Sequence, residues 1–409
     1  MRNRIKNAII SLSDKSNIKP ILQALKKYDI KIISSGGTSK EIKRLGYKCM
    51  EVSEYTKSDE ILDGRVKTLH TKLYAGILSK RNSNKHKKEL RKNAFEEIDL
   101  VIVNFYPFEE TLKVTRDHKI LIENIDIGGP ALVRASAKNY HDTTILTSPK
   151  QYNEFLINLK KNKGSTSLEF RKKLSGEAFN LTAYYDSVIS EYLNNISNDY
   201  FPQKKTIHGN LVEVLRYGEN PHQKSAIYSK NNNLEILQLS GKKLSYNNYN
   251  DIYAALNISK TLPKNTGTVI VKHANPCGVS INKNNLKSYK EALACDPISA
   301  FGGIVSCNFK ISKKIAIELN KLFMEVIIGI GFDNDSIKIL KKKKNLRLID
   351  ASKLKQINNF NVNSNFDSLL LQTLDDKILN KENFKVVSKI KPTKKVFDDL
   401  LFAFNICRN

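Results

Sequence analysis

Residues 63–70 read Asp-Gly-Arg-Val-Lys-Thr-Leu-His, which puts a carboxylate, a flexible turn, two cations, a hydroxyl and an imidazole within one short stretch. Arg65 can bind a phosphate through parallel N–H bonds, Lys67 adds a point charge and Thr68 a hydroxyl, a set suited to a phosphate ester. Alone, such an octapeptide reads as readily as a polar surface loop. Two other segments of the first half share its chemistry: Ser11-Leu-Ser-Asp-Lys15 and Ser34-Ser-Gly-Gly-Thr38, each after a short apolar run. Backbone N–H groups at Gly36 and Gly37, with the positive end of a following helix, can approach an anion. Ser11, Ser13, Lys15 and Ser35 would stand around the same anion. Thr38 and Ser13 could equally be plain helix caps.

Asn124-Ile-Asp-Ile-Gly-Gly-Pro130, followed by Arg134 and Lys138, is a second dense segment, with Asp126 just before a probable helix start at Gly128. A capped helix with solvent-facing cations is the plain alternative. In the second half, an apolar strand from Val269 to Val271 ends in Lys272-His273-Ala-Asn-Pro-Cys-Gly278. A Lys-His pair at a strand end suits proton transfer together with oxyanion stabilisation, although a lone His is more often structural. A glycine-rich turn, Ala294 to Gly303, lies nearby in sequence.

The elements that must carry these groups alternate strand and helix through the first ~145 residues, as in a parallel α/β sheet. Strands are expected at Asn7–Ser11, Ile30–Ile33 and Asp99–Asn104, with a helix from Ile18 to Lys27 and another opened by Thr38. The strand C-terminal ends then carry Ser13, Lys15, the glycine pair, Asn104 and Tyr106, the edge where ligands bind in open α/β sheets. From Pro149 to about Asn195 the pattern is helical, with an apolar stripe over residues 177–185, and a domain boundary is expected near Phe201-Pro202. A mixed α/β region follows. Asn358 to Asn365 reads as a surface loop, and Asp398 to Asn405 as the start of a buried helix that the chain end at Asn409 cuts off, which suggests a missing piece.

Composition narrows the class. A chain of 409 residues with 40% hydrophobic and 27% charged residues is expected to fold into at least two domains. No apolar run approaches the roughly 20 residues of a membrane span, and no signal peptide is legible. The net charge of +27 invites a nucleic-acid reading. The excess Lys is spread through the chain without interleaved aromatics, which argues against a binding patch. Five cysteines, none in a C-x-x-C pair, argue against disulfides and zinc and for a reducing cytoplasm, each being read as a buried apolar residue.

Ten segments in register from Ile9 onward closely resemble the AICAR transformylase/IMP cyclohydrolase family. They are Ser-Leu-Ser-Asp-Lys, Ser-Gly-Gly-Thr, Gly-Arg-Val-Lys-Thr-Leu-His, Asn-Phe-Tyr-Pro-Phe, Ile-Asp-Ile-Gly-Gly, Arg-Ala-Ser-Ala-Lys-Asn, Leu-Arg-Tyr-Gly-Glu-Asn-Pro-His-Gln, Leu-Ser-Tyr-Asn-Asn, Lys-His-Ala-Asn-Pro-Cys-Gly and Asp-Pro-Ile-Ser-Ala-Phe-Gly-Gly. The resemblance implies a methylglyoxal-synthase-like cyclohydrolase domain (1–148), a helical connector (149–202) and a deaminase-like α/β transformylase region (203–409) lacking its C-terminal part. It implies that Ser11, Ser13, Lys15, Ser35, Gly36, Gly37, Thr38, Arg65 and Thr68, with Asn104, Ile127 and Gly128, bind nucleotide. Lys67, Tyr106, Asp126 and Lys138 then fall where ring closure occurs. Arg216, Tyr217, Gly302 and Glu325 would contact AICAR, and Lys272 and His273 would catalyse formyl transfer.

The resemblance further implies 10-formyltetrahydrofolate as formyl donor and no metal. It implies AICAR, formyl-AICAR and IMP as partners without nucleic acid or membrane, and a cytoplasmic homodimer. Two departures stand out: the family continues past the Phe-Ala-Phe helix, and Gly329-Ile330 replaces its usual Ala-Pro. Poor formyl transfer is therefore expected. Two competing readings are weaker. A methylglyoxal-synthase-like phosphate-ester lyase leaves the Lys-His half unexplained, and a basic nucleic-acid-binding protein leaves the glycine turns unexplained.

Overall fold

A computed structural model describes residues 4–62, 64–231, 233–355, 360–375, 377 and 379–408. The chain divides into two compact units, 1–208 and 209–409.

In the first unit, β1 (Asn7–Leu12), β2 (Lys31–Ser34), β3 (Met50–Glu51), β4 (Leu100–Asn104) and β5 (Thr144–Leu146) form one parallel sheet in the order β3-β2-β1-β4-β5. These strands are short apolar runs because helices cover both faces, so little alternation is needed. Ile9 of the central strand pairs with Ile33 on one side and Val101 on the other, all three buried. The register aligns the strand ends: Leu12 lies beside Asn104, Ile10 beside Ser34 and Ile102 beside Leu146. One edge therefore collects the loops after β1, β2 and β4.

The Ile18–Lys27 helix forms as its spacing predicts, burying Ile18, Ile21, Leu22 and Leu25. The helices Tyr152–Lys161 and Leu168–Ile196 fill the stretch expected to be a connector. Phe155, Leu159, Phe170 and Leu174 from these helices join the core of the parallel sheet. They are bound into the first unit, and the division falls after His208 rather than at Phe201-Pro202.

In the second unit, β6 (Asn210–Leu215) and β7 (Ser225–Ser229) pair as a ribbon. The strands β8 (Leu237–Ser240), β9 (Gly267–Lys272), β10 (Asn275–Ile281), β11 (Ile304–Cys307), β12 (Val326–Gly329) and β13 (Arg347–Asp350) make a sheet in the order β10-β9-β11-β12-β13-β8. Strands β11 to β13 are parallel to one another, while β8, β9 and β10 each run antiparallel to their neighbours. Successive side chains point to opposite faces. Val269 and Val271 accordingly pack with Ile252 and Leu256 of the Tyr246–Ser259 helix, while Ile270 packs with Tyr289 and Ile315 on the other side.

Three expectations are corrected. The Asn-rich stretch is not a loop over its described part: β14 (Phe360–Asn365) pairs antiparallel with β15 (Ser368–Thr373), while Asn358 and Asn359 lie outside the described residues. The last helix, Lys394–Cys407, is mostly exposed, with Leu400 58% and Phe404 44% accessible and only Ile406 buried. Of the cysteines, Cys307 is buried but Cys295 and Cys407 are exposed, and all five are free thiols.

Candidate active sites

The ligand edge of the first sheet is built by side chains that tie loops to strand ends. Asn104, at the end of β4, accepts from the backbone N–H groups of Ser13 (2.7 Å) and Asp14 (3.0 Å) and donates to Asp14 O at 2.7 Å. Its amide is spent on the loop after β1, so Asn104 shapes the site rather than offering its side chain to a ligand. Thr38 is spent similarly: its buried hydroxyl donates to Leu12 O and accepts from Leu12 N–H. The Gly36–Arg44 helix begins at Gly36, two residues before Thr38, and Ser35 precedes it without a capping bond from its hydroxyl. Gly36 adopts a left-handed φ of 51°, which a glycine takes without steric cost.

Two lysines converge on this turn from different loops. A Cβ on Gly36 would lie 3.6 Å from Lys67 Nζ, and one on Gly37 3.9 Å from Lys15 Nζ. Lys15 also donates to Ser13 O at 3.2 Å. Two ammonium groups over a glycine turn at a helix N-terminus form an anion cradle. Lys67 faces Gly64 as well, again at 3.6 Å. Asp63 lies outside the described residues.

The Gly128–Lys138 helix starts beside this cradle. Thr68, buried, lies so close to Gly128 that a Cβ there would meet its hydroxyl at 2.6 Å. Asp126 accepts from Gly129 N–H at 2.8 Å and from Tyr106 N–H at 3.4 Å. Burial pushes the Asp126 carboxyl above its usual range, opposed by these two donors and by the charge of Lys67. The Tyr185 hydroxyl accepts from Asp126 N–H and donates to Asn124 O. Tyr74 stands within electrostatic range of Asp126, its phenol pushed up to about 12, mainly by burial. Neither tyrosine was singled out from the sequence. Tyr185 sits in the apolar stripe, where an aromatic reads as packing.

Two expected members stand apart. Arg65 is exposed and forms an ion pair with Glu123. Lys138 is exposed at the far end of the helix that begins at Gly128, about 15 Å away along the axis at 1.5 Å per residue. Ile127, 60% exposed, precedes the first turn, where helix geometry leaves N–H groups without intrahelical acceptors. Ser11, half-buried, lies within β1 itself.

In the second unit the Lys-His pair ends β9. Lys272 Nζ donates to Phe301 O at 3.0 Å, which joins it to the glycine-rich turn before β11. Gly302, with φ 74°, donates to Phe323 O, and Glu325 N–H donates to Gly303 O. The Glu325 carboxylate accepts from Asn248 Nδ2 at 2.9 Å and pairs with Arg347 at 3.6 Å. His273 is exposed in the corner between β9 and β10. Beneath it Asp251 accepts from Ala274 N–H at 2.7 Å. Arg216 lies 5.5 Å from the ring centroid of Tyr217. Asn248, Asp251 and Arg347 were missed as site residues. Asn248 and Asp251 stand three apart on one helix, a spacing that puts them on a common face.

A family model for the AICARFT/IMPCHase bienzyme matches residues 136–409, and one for the MGS-like domain matches 17–131. The "Bifunctional purine biosynthesis protein PurH" of Acetivibrio thermocellus is 42% identical, over 99% of this chain and 80% of its own length. The protein of the same name from Rhizobium rhizogenes is 40% identical, over 99% of this chain and 77% of its own length. That of Persephonella marina is 42% identical, over 99% and 80%. Among solved structures, ForH aligns at 28% identity with 46% of this chain and 99% of its own, with a TM-score of 0.42.

Proposed function

The chain belongs to the AICARFT/IMPCHase bienzyme family of purine biosynthesis, with IMP cyclohydrolase and AICAR transformylase activities, and we propose that residues 1–148 close the ring while 203–409 transfer the formyl group. The helices of 149–202 serve the first of these regions, packing on its sheet and bringing Tyr185 to Asp126. The observation that carries the first assignment is the pair Lys15 and Lys67 over the Gly36–Gly37 turn, with Asp126 and the Gly128 helix start alongside.

The phosphate of formyl-AICAR is held by Lys15, the Gly36 and Gly37 backbone, Ser13 and Ser35, while the Lys67 ammonium at the rim of the turn serves the Asp126 side. The carboxamide nitrogen attacks the formyl carbon to form the new C–N bond. The N–H groups of Ile127 and Gly128 stabilise negative charge developing on oxygen, with Thr68 beside them. Asp126, whose basicity is raised by burial, takes the proton from nitrogen. Asp126 passes that proton to the alkoxide to give a hydroxyl. Lys67 then protonates the hydroxyl, which leaves as water, and the formamide N–H proton is lost back to Lys67 as the C=N bond of IMP forms. Tyr106 borders this chemistry through its backbone bond to Asp126.

In the second region AICAR lies against Arg216, Tyr217, Gly302 and Glu325. His273 takes a proton from the amine while Lys272 steadies the oxyanion, and 10-formyltetrahydrofolate serves as co-substrate. The protein works as a homodimer in the cytoplasm; exposed Ile298 and Phe301 (86% and 56% accessible) support a covered surface there.

One preparation assayed for formyl-AICAR conversion to IMP and for formyl transfer to AICAR tests the reading. Both activities are expected; the family membership replaces the poor formyl transfer expected from the sequence alone. Absence of IMP formation at every pH tried would overturn the cyclohydrolase assignment.

A further inference from the structure

The corner between β9 and β10 is unusual in its backbone. His273 has φ 52° and Ala274 φ 58°, the only adjacent pair of non-glycine residues with positive φ among the described residues. Left-handed conformations are unfavourable for L-residues with a Cβ and persist only when the surroundings hold them. Asp251 supplies that hold: its carboxylate accepts from Ala274 N–H at 2.7 Å. It is anchored from a different element, the Tyr246–Ser259 helix, whose Ile252 and Leu256 are buried against the sheet. His273 O is fixed in turn by Asn275 Nδ2 at 2.8 Å. The Asp251 carboxyl is pushed above its usual range, chiefly by burial, while Ala274 N–H and the His273 side chain pull it down. A half-buried acceptor under a strained corner sets where the imidazole points.

We propose that Asp251 is a positioning residue for formyl transfer, holding the left-handed His273–Ala274 corner through the Ala274 N–H so that the imidazole faces the amine of AICAR. This rests on the reading above that His273 takes the amine proton. The role belongs to the acceptor oxygen, not to the charge. An amide oxygen can replace the carboxylate, and a residue that adopts positive φ freely can reduce the need for it.

The test uses the full chain and steady-state formyl transfer from 10-formyltetrahydrofolate to AICAR, with AICAR affinity measured separately by calorimetry. Asp251→Ala should lower kcat at least tenfold, with AICAR affinity changed less than threefold. Asp251→Asn should recover at least half of the lost kcat. Ala274→Gly placed in the Asp251→Ala chain should also recover activity, because glycine takes the corner without strain. A melting curve and retained AICAR affinity identify a folded variant, and Asp251→Asn serves if Asp251→Ala does not fold. Asp251→Ala at wild-type kcat, or Asp251→Asn as impaired as a folded Asp251→Ala with no gain from Ala274→Gly, overturns the inference. A His273→Ala chain that turns over normally would instead overturn the reading beneath it.

Discussion

The two candidate sites lie at opposite ends of their strands. In the first, every strand is parallel, and the cradle forms where β1, β2 and β4 end, from loops that follow Leu12, Ser34 and Asn104. In the second, β9 runs antiparallel to β11. The C-terminal end of β9, with Lys272 and His273, therefore meets the beginnings of β11, β12 and β13, which bring Gly302, Glu325 and Arg347. A parallel sheet gathers helix N-termini and backbone donors at its C-terminal edge, which suits an anion. A mixed sheet instead offers a tight corner and paired carboxylate, amide and guanidinium side chains. One site relies on backbone dipoles, the other on a backbone held in an unfavourable conformation.

The largest expected effect tests the first half of that contrast. Asp126→Asn should lower cyclohydrolase kcat about 10²–10⁴-fold, the range for loss of a proton acceptor, while formyl transfer persists. Its stability should move the other way. Burial raises the folded-state pKa of Asp126 above its ordinary value of 3.8, so folding favours the protonated acid. That stabilising contribution is present below the unfolded-state value and is lost as pH rises through the raised folded value. Asparagine carries no such loss. Melting curves taken upward from a pH near the ordinary value of 3.8 should show the variant's advantage growing until the raised folded value is passed. A variant less stable than wild type at neutral pH would show that the charged carboxylate itself anchors the Gly129 and Tyr106 N–H groups.

Lys67→Ala comes next, with an expected fall of about 10²–10³-fold in cyclohydrolase kcat/KM, the scale for removing one preorganised electrostatic group. The melting temperature should be unchanged. Equal loss of formyl transfer in that variant would erase the proposed division between the regions. The smallest effect is expected at Asn104. Alanine there removes three hydrogen bonds to the Ser13–Asp14 backbone, and a looser cradle should raise KM for formyl-AICAR about tenfold with little change in kcat, equivalent to about 1.4 kcal/mol of binding. A kcat effect larger than the KM effect would mean that the loop serves the chemical step.

Much of this was legible along the chain. The Ile18–Lys27 helix and the apolar strands followed from periodicity, and the glycine turns after apolar runs marked the ligand edge. The position of Lys138 was legible too, since a helix opened at Gly128 carries a residue ten positions later well away from its start. Asp251 was not: a carboxylate within a helical stretch carries no local sign that a corner two elements later needs an acceptor.

By itself, then, the sequence determined which groups were available: the residue types of the phosphate loops, the Lys-His pair, and the buried runs that must become strands. Tertiary structure decided what those groups do. Strand order and register brought Lys15 and Lys67 to one glycine turn and turned the Asn104 amide and the Thr38 hydroxyl inward onto backbone. The pairing of β9 with β11 joined Lys272 to Phe301 O, and loop packing set Arg65 against Glu123. The physical reason is range. Burial and helix periodicity are encoded within a few residues, whereas a hydrogen bond between strand ends depends on sheet order and register, which the packing of the whole unit selects.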